Sequence, residues 1–332
     1  MGEDADASAP GGGRRCPRLS DARQPDSTGK AVESAPKSAA SAGATSARGD
    51  EPAAIAVRFC GAGPDTVGTL QPACWRGEDF VPDTDTAPDA DPGTLTSVFR
   101  RAARGRLPNR YTDFWRAAFD QRVSDAVAPG QRILDIGSGR KPTIPVEQRP
   151  PGCVYVGLDL SMAELEAAPP GSYDRMIVAD VTQRVPELEG QFDLALSFQV
   201  FEHVKPIDVA LLNVRSYLRP GGRALMHLSG GRSVFGILNR ILPQRLGVAL
   251  LSRLVGRDPK TVFPAHYDRC WYTALRQLAT GWTTFHVVPR WRGASYFGFS
   301  RLVRAVYVTY EEWTIRAGRL NLAPYYLIDA RA

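Results

Sequence analysis

The sequence predicts an α/β protein: a doubly wound, mostly parallel sheet of seven strands behind a disordered N-terminal tail. Three observations carry that prediction. From Arg132 onward, apolar runs of strand length alternate with stretches of helical character, as βα units of a parallel sheet do. The first of these runs leads into glycines and the next two end in acids, Asp159 and Asp180, as happens where an open sheet binds ligand beyond its carboxyl edge. Residues 1–94, by contrast, are rich in Ala, Gly, Ser, Pro, Asp and Thr with no sustained period. Such a composition cannot bury enough apolar surface to offset the entropy of ordering it.

Within the tail, Ala53 to Cys60 is an apolar island, and Trp75 with Phe80 forms a short segment able to dock; a start near Val98 is an alternative reading. The character changes at Ser97. Arg100, Arg101, Arg104 and Arg106 flank Phe99 and Leu107, a cluster placed to meet an anionic substrate. Trp115, Phe119 and Val123 then stand at i, i+4 and i+8, the apolar stripe of a helix over 111–127 that Pro129-Gly130 ends.

Strand one, Arg132 to Asp135, leads into Ile136-Gly137-Ser138-Gly139, where two glycines let the backbone turn against something bulky. Pro142, Pro145, Pro150 and Pro151 leave room for little more than one helical turn before strand two, Cys153 to Asp159. Ser161 and Glu164 have capping-box spacing, so Asp159 sits at a strand end before a helix, where a carboxylate can bind a ribose diol. Strands three and four are Met176 to Asp180 and Phe192 to Ser197. A helix over 211–218 stops at Pro220-Gly221-Gly222, and strand five is Arg223 to Ser229.

Residues 233–270 form an insertion. Leu246, Leu250 and Leu254 make a helical stripe punctuated by Arg240, Arg245, Arg253 and Arg257, which suits a substrate lid and also an interfacial membrane segment. The remaining elements are a helix over 270–279, strand six over 282–288, a helix over 300–317 and strand seven over 325–329, and the sheet is expected to hold one antiparallel hairpin.

This ordered set of motifs resembles the class I S-adenosylmethionine-dependent methyltransferases, in particular the small-molecule group sometimes called type 11. The resemblance is strong over 111–229 and looser to Ala332. It implies S-adenosyl-L-methionine as cofactor, cradled by Asp135, Gly137, Ser138 and Gly139, with Asp159 and Leu160 at the ribose. Asp180 and Val181 would hold the adenine, and Gln199 would bound the methionine moiety. Two departures stand out: Lys141 replaces a third glycine, and the helix after strand one is short. Lys141 points either to the cofactor carboxylate or to water. Methyl transfer to oxygen or nitrogen requires loss of a proton, so Glu202-His203 supplies the first candidates for a base and His266, beside Tyr267, a second.

Charge bears on the partners. Residues 1–95 hold 9 Lys/Arg and 15 Asp/Glu, which leaves 32 basic and 20 acidic residues, a net +12, for 96–332. That surplus suits a small-molecule acceptor that is anionic or lipid-like, and also peripheral contact with a membrane. It would suit nucleic acid too, but the Asn/Asp-Pro-Pro-aromatic motif of enzymes that methylate base amines is replaced by Ser197-Phe198-Gln199-Val200. A nicotinamide dehydrogenase would carry a glycine where Pro142 stands. A non-catalytic protein retaining the fold is the third class. Five scattered cysteines and four histidines show no metal or disulfide spacing, and no partner protein is indicated. No stretch is apolar enough to span a bilayer and no signal pattern opens the chain, so a cytoplasmic location is expected.

Overall fold

The computed structural model describes residues 93–112, 114–241 and 265–332. Apart from Gly93 and Thr94, the tail expected over 1–94 lies outside them, as do Trp75, Phe80 and the insertion residues Arg245, Leu246, Leu250, Arg253, Leu254 and Arg257.

Seven strands form one sheet: β1 (Arg132–Ile136), β2 (Val154–Asp159), β3 (Arg175–Val178), β4 (Phe192–Phe198), β5 (Leu218–Ser229), β6 (Thr284–Arg290) and β7 (Tyr325–Arg331). Their order is β3-β2-β1-β4-β5-β7-β6. β1 to β5 pair in parallel, while β7 runs antiparallel to both β5 and β6. The order in which strands are added reverses between β1 and β4, the switch point at which open α/β sheets hold ligands. The antiparallel pair is not a tight hairpin, because a sixteen-residue helix lies between β6 and β7.

Helices α1 (Leu95–Ala103), α2 (Ala117–Ala126), α3 (Met162–Glu166), α4 (Ile207–Tyr217), α5 (Val234–Ile241), α6 (Tyr272–Gln277) and α7 (Arg301–Arg316) surround the sheet. Apolar alternation along the strands separates two cores. On one face Phe119 and Val123 of α2 pack on Ile133, Leu194, Leu196, Leu225 and Leu327. On the other, Leu134, Ala195, Met226 and Ile328 meet Ala210, Leu211 and Val214 of α4. Trp115 precedes α2 rather than lying in it, and its ring packs 5.2 Å from that of Phe198.

Beyond β1 the prolines confine the backbone to a single 3-10 turn, Val146–Gln148, as their spacing requires. α1 was not legible in the sequence. Thr94 caps it by accepting from the Ser97 N–H at 3.2 Å, and Val98 and Ala102 are buried in a third cluster with Ala305 and Val308 of α7. Arg100 and Arg101 therefore lie in a helix packed on α7, with Arg104 its C-cap and Arg106 just beyond, and none of the four lines the cleft at the carboxyl edge.

Candidate active site

The parallel strands deliver their carboxyl ends to one edge, where a cleft of about 260 Å³ opens. One wall comes from β1, the turn after β4 and the chain beyond: Ile136, Gly137, Val200, His203, Lys205 and His266. Leu158, Asp159 and Leu160 follow from β2, and Ala179, Asp180, Val181 and Thr182 from the end of β3.

Gly137 is required where it stands. Its φ is +68°, and an added Cβ would lie 2.6 Å from both γ-methyls of Val200. Any side chain would combine left-handed strain with a clash against the opposite loop. Its N–H donates to the Leu158 carbonyl at 2.7 Å, tying the turn to the end of β2.

Asp159 is half-buried at the cleft. Its Oδ1 accepts from the Ser161 N–H at 3.0 Å, and burial raises its pKa above the ordinary carboxylate value. The same bond explains why the capping box is only half formed. Ser161 Oγ accepts from the Glu164 N–H at 3.3 Å, but the Ser161 N–H is taken, and Glu164 turns instead to Arg140 at 2.7 and 2.5 Å. Asp180 Oδ1 accepts from the N–H and hydroxyl of Thr182, both at 2.8 Å, an Asx turn that presents the carboxylate at the cleft beside Val181. Asn213 on α4 donates to the Val181 carbonyl at 2.9 Å and fixes that segment.

Seven residues expected at the site line this cleft: Gly137, Asp159, Leu160, Asp180, Val181, His203 and His266. Five others are placed elsewhere. Asp135 is fully buried, and its carboxylate accepts from the Thr143 N–H and hydroxyl at 2.6 Å each and from the Tyr155 hydroxyl at 2.7 Å. It braces the turn. The Tyr173 hydroxyl lies 2.7 Å from both Ser138 Oγ and the Gly139 carbonyl, which draws the Ser138 side chain into the same bracing. Burial pushes that phenol up to about 12, so it stays protonated and able to donate. Gly139, φ +49°, lets the loop pass Asp159, whose Oδ2 would sit 3.4 Å from an added Cβ. Tyr155, Tyr173 and Thr143 thus brace the turn after β1. Lys141 is exposed and outside the cleft; Lys205 is the lysine on its wall.

Gln199 and Glu202 belong to a network behind the cleft. Gln199, φ +59°, has its amide 2.9 Å from His227 Nδ1 and 3.0 Å from Ser229 Oγ. Ser229 Oγ also lies 2.9 Å from Glu202 Oε1. A hydroxyl donates one proton. With the Gln199 amide so oriented, every contact is satisfied when protonated Glu202 donates to Ser229, Ser229 to Gln199, and the Gln199 amide N–H to His227. Burial raises the Glu202 pKa, and burial followed by the charge of Arg116 lowers that of His227 to about 3. Glu202 is therefore a buried anchor between the turn and β5 rather than a wall residue. Residue order did not point to Tyr173, Thr143 or His227, because each acts through a partner distant in sequence. Lys205, two residues past Glu202-His203, was in view of the motif.

Residues 104–279, more than half of the chain, match the methyltransferase domain family. Three curated relatives, from Mycobacterium sp. strains KMS, MCS and JLS, are named uncharacterised methyltransferases; each is 28% identical over 191 residues, covering 54% of this chain and 72% of the relative. Among solved structures, phosphoethanolamine N-methyltransferase 2 of Haemonchus contortus with S-adenosyl-L-methionine aligns at 17% identity and a TM-score of 0.41, over 72% of this chain but only 57% of that one. Geranyl diphosphate C-methyltransferase of Streptomyces coelicolor A3(2) aligns at 16% and 0.41, over 65% and 77%. The chain belongs to the methyltransferase domain family.

Proposed function

We propose that the cleft binds S-adenosylmethionine and that the enzyme methylates a small, apolar-bodied acceptor at oxygen or nitrogen. The observation that carries this reading is the meeting of Asp159, Leu160, Asp180 and Val181 on one wall, opposite a glycine whose missing Cβ lets two loops approach. A carboxylate at the end of β2 suits the two hydroxyls of a ribose, with Leu160 against the sugar. Asp180 can accept from the adenine amine while Val181 covers the ring, and Lys205 supplies a cation for the amino-acid carboxylate.

When bound, the cofactor supplies a methyl group on a sulfonium. The protein's part is to hold the acceptor in line, exclude water and remove a proton where one must leave. His203 is our choice for that base, because its turn is pinned by its own N–H to the Val200 carbonyl at 2.8 Å and it lies on the cleft wall. His266, also on the wall, ranks second. Trp115, Phe198, His227 and Tyr325 form an aromatic cluster with ring centroids 5.0 to 6.0 Å apart, none of them among the residues that line the cleft. The basic balance of 96–332 supports a lipid-like or anionic acceptor and peripheral membrane contact, and we take the place of work to be cytoplasmic. No helix among the described residues is long and apolar enough to cross a membrane.

Calorimetry with S-adenosylmethionine tests the first half. Asp159→Ala should weaken binding by about 1.5 to 3 kcal/mol, as expected for hydrogen bonds to a charged group. A folded variant with unchanged affinity would remove Asp159 from the site.

A further inference from the structure

Helix α7 carries its polarity inside out. An amphipathic surface helix normally turns its charges to water. Here Glu311 and Glu312 are buried, where Arg110 Nη1 meets Glu312 at 3.0 Å, Arg110 Nη2 lies 3.7 Å from Glu311, and the Gly293 N–H donates to Glu311 at 2.8 Å. The opposite arc holds Leu302, Val303, Val306, Tyr310 and Trp313, spaced so that they share one face. Leu302, Val306 and Trp313 are 62%, 56% and 44% exposed. Glu311 and Glu312 are the only acids in the helix, so the outward arc has none. Phe299, just before the helix, is also exposed, and α5, whose Phe235 packs 5.5 Å from the Tyr307 ring, exposes Ile237 and Ile241.

The margins of this apolar arc are cationic. Arg301 and Arg316 stand at its two ends with Arg319 just beyond, and α1, packed beside α7, exposes Arg100 and Arg104. Among the described residues only Arg316 of these five forms an ion pair, with the buried Glu312 at 2.9 Å. A second copy of the chain fits poorly. Two such arcs paired about a two-fold axis would set arginine ends against arginine ends in either direction. An anionic lipid surface complements both features, since apolar side chains enter the headgroup boundary while guanidiniums meet phosphates.

We propose that the outward face of α7 is an interfacial surface that seats the enzyme on an anionic bilayer. This rests on the peripheral-membrane part of the proposed function and gives it a location, and α7 lies beyond the residues, 104–279, that match the family.

The test is co-sedimentation of the full chain with vesicles, scored without acceptor or cofactor, so that its failure leaves the calorimetric test of the cleft intact. Vesicles of phosphatidylcholine alone are compared with vesicles containing equal parts of phosphatidylglycerol. The full chain should pellet with the anionic vesicles only, less so as salt rises, and the double variant Leu302→Asp/Val306→Asp should bind about tenfold or more weakly. Unchanged cofactor affinity shows that this variant is folded, and Arg301→Gln/Arg319→Gln should give an intermediate loss. No binding by the full chain, binding indifferent to lipid charge, or full binding by the double variant would overturn the proposal. So would a dimer in solution that the double variant abolishes, which would assign the face to a second copy.

Discussion

Two pairs of carboxylates set the halves of this molecule apart. Asp159 and Asp180 stand at strand ends on the cleft, each held through one oxygen by the backbone just after it. Glu311 and Glu312 are buried in α7 and held by Arg110, two hundred residues earlier in the chain. The first pair is positioned by local turns and remains available to a ligand. The second is consumed in joining the N-terminal segment to the C-terminal helix. The same chemical group is thus left open to a ligand where the chain turns at an edge and given to cohesion where distant elements meet.

The comparison breaks most visibly at Arg110. Arg110→Ala leaves buried Glu311 without its cation and Glu312 with Arg316 alone, a loss of about 3 to 5 kcal/mol. Thermal unfolding should show a large fall in midpoint, while folded protein at low temperature binds S-adenosylmethionine as before. Equal damage to cofactor binding would mean that the two halves are not separable.

A smaller effect belongs to the cleft pair. Because burial raises the Asp159 pKa, the carboxylate form is lost at a higher pH than for an ordinary Asp. Affinity for S-adenosylmethionine should therefore fall on acidification, beginning at a higher pH than it would for an ordinary Asp. Calorimetry across pH should find that limb missing in Asp159→Asn.

The smallest effect sharpens the place of Glu202. Its folded pKa is raised by burial, so any stabilisation from this group is complete below the unfolded value and disappears as pH rises through the folded one. Glu202→Gln can keep the hydrogen bond to Ser229 without a carboxyl that has to stay protonated. Its unfolding free energy should equal or exceed that of the parent at neutral pH, by about 1 kcal/mol or less, and that advantage should vanish toward pH ~4. A variant much less stable at neutral pH would show that Glu202 is ionised in the folded protein.

The cofactor edge was legible because its signals are local. Strand runs ending in Asp159 and Asp180, and the turn at Gly137, need only their own neighbours to reach the cleft. Gln199 and Glu202 carry motif positions just as clear, yet they turn inward because Ser229 and His227 on β5 offer hydrogen bonds there. Ser138 and Asp135 are diverted in the same way by Tyr173, Thr143 and Tyr155.

By itself the sequence determined the sheet, the succession of its elements and the acids at its carboxyl edge, since strand periodicity, glycine and proline placement and strand-end residues act over a few positions. Only the tertiary structure decided which polar groups face the cleft and which brace it, and that α7 would bury its glutamates and expose its apolar arc. The physical reason is that a side chain's partner, whether water, Arg110 or Ser229, is set by what packs opposite it, and those partners lie tens to hundreds of residues away in the chain.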